Sequence, residues 1–99
     1  DGKCVLRILG PIEQVSRTEW YDMQLNAGGV LESEAHSKGT IEHLTVIEGE
    51  LTVKNGQQQR NLSNGDTARY QADVPHFIEN KGKKSARALM VVLSGDINS

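Results

Sequence analysis

Apolar residues in this chain fall into short runs, and most of those runs alternate with polar neighbours. From Glu19 to Leu25, E-W-Y-D-M-Q-L puts Tyr21, Met23 and Leu25 on one side and Trp20, Asp22 and Gln24 on the other, the two-residue period of a half-buried strand. Cys4 to Leu9 (C-V-L-R-I-L) is short, apolar and partly β-branched, and Gly10-Pro11 ends it. Ile41 to Glu48 (I-E-H-L-T-V-I-E) closes at Gly49, and Glu50 to Lys54 follows with Leu51 and Val53 on one side. Asn55-Gly56 then gives the strongest short hairpin signal, since a type I′ turn needs positive φ at both central positions. Gln57 to Leu62 is its return strand and is polar enough for an exposed edge. Thr67 to Gln71, Pro75 to Glu79 and Ala86 to Leu93 complete the set, separated by turns at 63–66 and 80–84. Helical periodicity is missing, with room for one turn only between Pro11 and Thr18. Eight or nine short strands at about ten-residue spacing predict an all-β fold, an antiparallel sandwich or barrel.

Composition narrows this picture. The 99 residues suit a single domain, with no linker, repeat or low-complexity tract and with loose tails at 1–2 and 96–99. Aromatic residues are only 4%, so the core has to come from Val, Leu and Ile. The longest apolar run, Ala88 to Leu93, is far short of the ~20 residues that span a bilayer. Nothing at the start reads as a secretory signal, and the opening Asp in place of Met is what a fragment or a processed chain would show. One cysteine, Cys4, excludes an internal disulfide and a four-cysteine zinc site, and points to a reducing, cytoplasmic compartment. A formal charge of −2 lacks the positive field that non-specific DNA binding needs.

Candidate chemistry gathers in mid-chain, where all three histidines lie: His36, His43 and His76. Glu34 and His36 are two residues apart and share a face if extended. Glu42 shares its face with Leu44 and Val46, which are core candidates, so its carboxylate is expected to point inward and His43 outward. A carboxylate inside an apolar barrel is costly unless it is paired, protonated or bound to a cation. That cost is a reason to look for a metal or a ligand beside Glu42. Lys81, Lys83 and Lys84 read as a solvated turn, and Cys4 as a small core residue.

Two stretches then carry a resemblance. Gly29 to Gly49, G-V-L-E-S-E-A-H-S-K-G-T-I-E-H-L-T-V-I-E-G, resembles the first motif of the cupins: a glycine, a His-x-His pair, a glutamate and a closing glycine. Gly65 to Asn80, G-D-T-A-R-Y-Q-A-D-V-P-H-F-I-E-N, resembles the second, with Gly65, His76 and Asn80 at its spacings but Gln71 in place of a proline and Asp73 in place of a glycine. The resemblance implies a cupin-type double-stranded β-helix, a jelly-roll barrel. It also implies a divalent metal, zinc or iron, held by His36, Glu42 and His76. Glu34 stands where the first motif histidine would be and is a fourth candidate, or else a solvated carboxylate. Five residues separate His36 from Glu42, one more than the longer form of the motif. Two imidazoles and a carboxylate suit Fe(II) or zinc.

Within the family, H-S-K-G-T-I-E-H-L-T-V-I-E-G-E-L and G-D-T-A-R-Y-Q-A-D-V-P-H resemble the C-terminal cupin domain of XRE-type bacterial transcription regulators. There an N-terminal helix-turn-helix reads DNA and the cupin senses a small molecule. No helix-turn-helix is present in this chain, so on this reading DNA is contacted only through a domain that is missing here, and the cupin senses an effector and dimerises. Arg69, Tyr70 and His43 are candidate effector-binding residues, Arg69 as a bidentate partner for an amino acid or another carboxylate. Strand phase leaves the face of Arg69 open, and a surface ion pair is its other reading. The competing function is a stand-alone metal-dependent enzyme, an Fe(II) dioxygenase or an isomerase. A third is a structural dimerisation module, which pairing of Glu42 with Arg69 or Lys38 would favour.

Overall fold

The structure, a computed structural model, describes residues 4–9 and 18–95. Nine strands are formed: β1 (Cys4–Leu9), β2 (Thr18–Leu25), β3 (Val30–Ser33), β4 (Ile41–Glu48), β5 (Leu51–Asn55), β6 (Gln58–Leu62), β7 (Thr67–Gln71), β8 (His76–Glu79) and β9 (Ala86–Leu93). They make two antiparallel sheets, β1-β2-β9-β4-β7 and β3-β8-β5-β6, with no helix among the described residues. This is the all-β jelly roll expected from the sequence. The place where one helical turn was expected lies outside the described residues except for Thr18, which opens β2, and so do both tails.

Alternation decides what faces inward. Met23, Leu25, Leu44, Val46, Ala68, Tyr70, Ala86, Ala88, Met90 and Val92 point from the larger sheet into the barrel, and Leu51, Val53, Leu62 and Ile78 meet them from the smaller one. Val, Leu, Ile, Met and Ala thus supply most of the core, as the scarcity of aromatics requires. Between Val46 and Glu48 the β4–β9 register shifts, a bulge after which Glu48, inward by phase, is exposed.

Two local expectations are corrected. β3 is a separate strand that the sequence pattern did not single out, four residues long and paired to β8. The β5–β6 turn also sits one residue later than the Asn-Gly signal suggested. Asn55 and Gln58 are the last paired residues, so Gly56 and Gln57 are central. Only Gly56 has positive φ, 57°, which is the pattern of a type II′ turn with glycine first, not of type I′. Gln57 therefore belongs to the turn. β6 is the outer strand of its sheet, with 58–61 exposed.

Candidate functional site

Glu42 lies on the inner face of β4 and its side chain is 2% exposed. Its register partner on β7 is Tyr70, whose hydroxyl donates to Glu42 Oε1 over 2.7 Å. Across the barrel, at the start of β8, His76 brings Nε2 to 3.2 Å from Glu42 Oε2. His36 reaches the same oxygen from the connection between β3 and β4, also at 3.2 Å. One buried carboxylate thus collects groups from both sheets and from a loop.

Each of these side chains is held by its surroundings. Nδ1 of His76 lies 2.8 Å from the carbonyl oxygen of Val74. Donation to that carbonyl fixes Nδ1 as the protonated nitrogen of the neutral ring and leaves the Nε2 lone pair free to bind a metal. The backbone N–H of His36 donates to Ala72 O at 2.8 Å. The extra residue of its loop is taken up by a turn over 37–40, in which Thr40 N–H bonds Ser37 O and Gly39 sits at φ 85°, a geometry that suits glycine at the third position of a type II turn. Asp73 Oδ2 accepts from the Gly39 N–H at 2.9 Å and ties that turn to the β7–β8 connection.

Charge is arranged to keep Glu42 ionised. Burial by itself pushes its carboxyl up, but the hydrogen bonds from His76 and Tyr70 and the charges of the two imidazoles outweigh burial and hold it below the ordinary glutamate value. The hydrogen bond to Glu42 raises the His76 imidazole against the opposing effect of burial. Burial, with the adjacent carboxylate, pushes the Tyr70 hydroxyl far up, so it remains an O–H donor. When it carries a second proton, His76 donates from both ring nitrogens, to Val74 O and to Glu42 Oε2.

The donor set fits a metal. Single donor atoms of His36, Glu42 and His76 all lie within 4.8 Å of one another. Bonds of 2.0–2.1 Å to a tetrahedral ion place its ligands about 3.3 Å apart, and the two Glu42–His separations are both 3.2 Å. Among the described residues no other cluster of His, Cys, Asp and Glu meets this condition. A cavity of about 310 Å³ opens beside the cluster, lined by His36 and Glu42, by Leu6, Leu31, Met90 and Val92, and by hydroxyl side chains.

The remaining sequence candidates lie elsewhere. Glu34 is exposed and outside the cluster. Arg69 is exposed, because β7 buries Ala68 and Tyr70 and turns the residue between them outward. His43 also faces outward, in a row across the outer face with Leu9, Trp20, Val91 and Arg69, and its Nε2 is buried without a hydrogen-bond partner. Neither Arg69 nor His43 lines the cavity. Glu42 pairs with imidazoles and a phenol, not with Arg69 or Lys38. Sequence reasoning missed Glu19, Tyr21, Ser33 and Thr40, which line the cavity. For Glu19 the signal was present: the alternation that placed Tyr21, Met23 and Leu25 inward, carried one step back, includes it.

Comparison with known proteins agrees with this architecture. Residues 21–92 match the profile of the cupin domain family. The HTH-type transcriptional regulator SutR of Escherichia coli K12 is 33% identical over 81 residues, which cover 82% of this chain and 46% of that protein. The chain thus spans about half the length of this curated relative. A crystal structure of the cupin domain of an XRE family transcriptional regulator from Enterobacter cloacae superposes with a TM-score of 0.86 at 26% identity, covering 95% of this chain and 99% of that one. An HTH_3 family transcriptional regulator from Vibrio cholerae has the same fold, with a TM-score of 0.84 at 23% identity over 95% of this chain and 52% of that one.

Proposed function

We propose, from the premise that this chain belongs to the cupin domain family, that it is the effector-sensing domain of a bacterial transcription regulator and holds a divalent metal on the floor of its barrel. The observation that carries this reading is the convergence of His36, Glu42 and His76 beside an open cavity, in a domain whose relative is a helix-turn-helix regulator. His36 and His76 would each give Nε2 and Glu42 would give Oε2. A divalent ion bound there supplies a Lewis-acidic centre with positions left for a donor atom of the effector. The protein's own part is to fix the tautomer of His76 through Val74 O and the rotamer of Glu42 through Tyr70. Carboxylate recognition by Arg69 is not part of the reading, since that side chain is outside the cavity.

Metal analysis of the purified chain tests the proposal. Stoichiometric zinc or iron that disappears in His76→Ala is the expected result, and no metal in either protein would remove the metal from it. The enzyme reading draws on the same cluster, because two imidazoles and one carboxylate leave coordination positions for substrate. Iron content with oxygen uptake on thiol or diol substrates would favour it.

The domain is also proposed to pair with a second copy. Trp20 and Val5 on the outer face of the larger sheet are 47% and 59% exposed, and Ile47 is exposed on the same sheet. Sedimentation of Trp20→Glu is expected to shift toward monomer if this face is the contact, and an unchanged sedimentation profile would exclude it.

A further inference from the structure

The cavity has two chemically distinct ends. Glu19 on β2 pairs in register with Val92 on β9, and Val92 pairs with Glu42 on β4. The three residues form one row across the inner face, so Glu19 and Glu42 stand two strand spacings apart, about 10 Å between backbones. All three line the cavity. At one end Glu42 is saturated by Tyr70, His36 and His76. At the other end the half-buried Glu19 has its Oε2 bonded by the Tyr21 hydroxyl at 3.1 Å, and among the described residues no cation is within ion-pair distance of it. Met90, Val92, Leu6 and Leu31 supply apolar wall, Ser33, Ser37, Thr40 and Ser94 supply hydroxyls, and among the described residues no lysine or arginine lines it.

We infer that Glu19 is the specificity-determining residue of this cavity and receives the ammonium group of a small aliphatic amine. The polarity of the lining carries the argument. A free carboxylate or phosphate brought to the β2 end would meet Glu19 with no compensating cation among the described residues. An ammonium would gain a carboxylate held in place by Tyr21 in a half-buried setting, where charge pairs are screened less than in open water. A short alkyl chain on that ammonium would lie against Val92 and Met90 and would direct any second polar group toward Glu42 and the histidines. Tyr21 is a positioning residue, since its hydroxyl orients the carboxylate. The inference rests on the cavity being the effector site, as proposed above, but the charge preference of Glu19 does not depend on the metal.

Butylamine, butanol and butyrate are nearly the same shape and differ in charge, and an alkylammonium with a pKa near that of lysine is protonated at neutral pH. Titrating each into the metal-free chain and following amide chemical shifts measures the preference directly. The expected result is butylamine about fivefold tighter than butanol, with butyrate weakest. In Glu19→Gln that order should collapse to near equality while butanol affinity is unchanged. Three outcomes overturn the inference: butyrate binding as well as butylamine, the amine preference surviving in Glu19→Gln, or the variant losing all three probes, which would make Glu19 structural. A parallel zinc titration reads the cluster on its own. Failure of zinc binding with the amine preference intact would reject the metal centre and leave Glu19 in its role, and the reverse pattern would do the opposite.

Discussion

A carboxylate that is 2% exposed inside a barrel is tolerated only where polar partners offset its burial, and Glu42 has them in Tyr70, His76 and His36. Tyr70 contributes the shortest contact, 2.7 Å. Removing it in Tyr70→Phe leaves Oε1 buried and short of a donor. The expected cost to the metal-free chain is about 1.5–3 kcal/mol, the range for hydrogen bonds to charged groups, together with zinc affinity about 10–100-fold weaker, as for loss of a group that orients a ligand. Urea midpoints and competition against a zinc chelator measure the two. The pH dependence follows from the same pair. Glu42 titrates below its ordinary value, so its share of the stability is complete at neutral pH and is lost as pH falls through that depressed value. His76 is raised from 6.5, so its share is complete below 6.5 and is lost as pH rises through its raised folded value. Without metal the chain is therefore expected to be most stable on the mildly acidic side, and urea midpoints against pH in the presence of a chelator should flatten on both limbs in Glu42→Gln. If the cluster binds zinc as proposed, zinc is expected to reverse the alkaline limb, because the ion would take the place of the His76 proton and bind better as pH rises.

Among the elements, the turn over 37–40 ties the loop of His36 to the β7–β8 connection, and one glycine is critical. Gly49 follows β4 at φ 96°, and a Cβ there would lie 2.9 Å from Ala86 Cβ and 3.1 Å from Ser85 O. Backbone conformation and space both exclude a side chain, so Gly49→Ala is expected to destabilise by about 1–3 kcal/mol or more. Differential scanning calorimetry should show a clearly lowered Tm. Gly49 was also the end of the first sequence motif, and its role shows which features were legible. Strand phase alone placed Glu42 inward, since Leu44 and Val46 had to be buried, and the same phase put His43 outside. Arg69 stayed open because Thr67 to Gln71 offers only Ala68 and Tyr70 as inward markers, one small and one amphipathic. β3 was hidden because V-L-E-S has one half-buried apolar residue, Leu31, and is recognisable only through its pairing with β8. The hairpin was read one residue early, since Asn55 keeps its ladder position opposite Gln58 and only Gly56 needs positive φ. Asn80, at its expected motif spacing, is a clamp: its side-chain amide donates to Leu25 O and Lys84 O and accepts from the Gly82 N–H. No local pattern announces such long-range polar bonds, and only the folded chain brings their partners together.

For the molecule as a whole, net charge and the pairing of its cations bear on what it can touch. With 11 basic and 13 acidic residues the formal charge is −2, and several cations are engaged: Arg7 and Arg87 both contact Asp22, and Lys54 contacts Glu79. Binding to a duplex draws its affinity from phosphates neutralised by basic side chains. The one local basic turn, Lys81, Lys83 and Lys84, is opposed across the adjacent groove by Glu48 and Glu50. This chain by itself is therefore expected to give no retardation of promoter DNA at physiological salt, whether or not zinc is present, and a salt-dependent shift in that assay would count against the sensor reading. In a full-length regulator carrying this domain, His76→Ala should leave the affinity for operator DNA nearly unchanged in the absence of zinc, because His76 is buried inside the barrel. The same substitution should abolish any change in operator affinity that zinc produces in the parent protein. Fluorescence anisotropy with labelled operator, with zinc and with chelator, reads both effects in one titration. Loss of DNA binding by the variant in chelator would mean that His76 supports assembly of the regulator through the fold, and the cluster would then be structural.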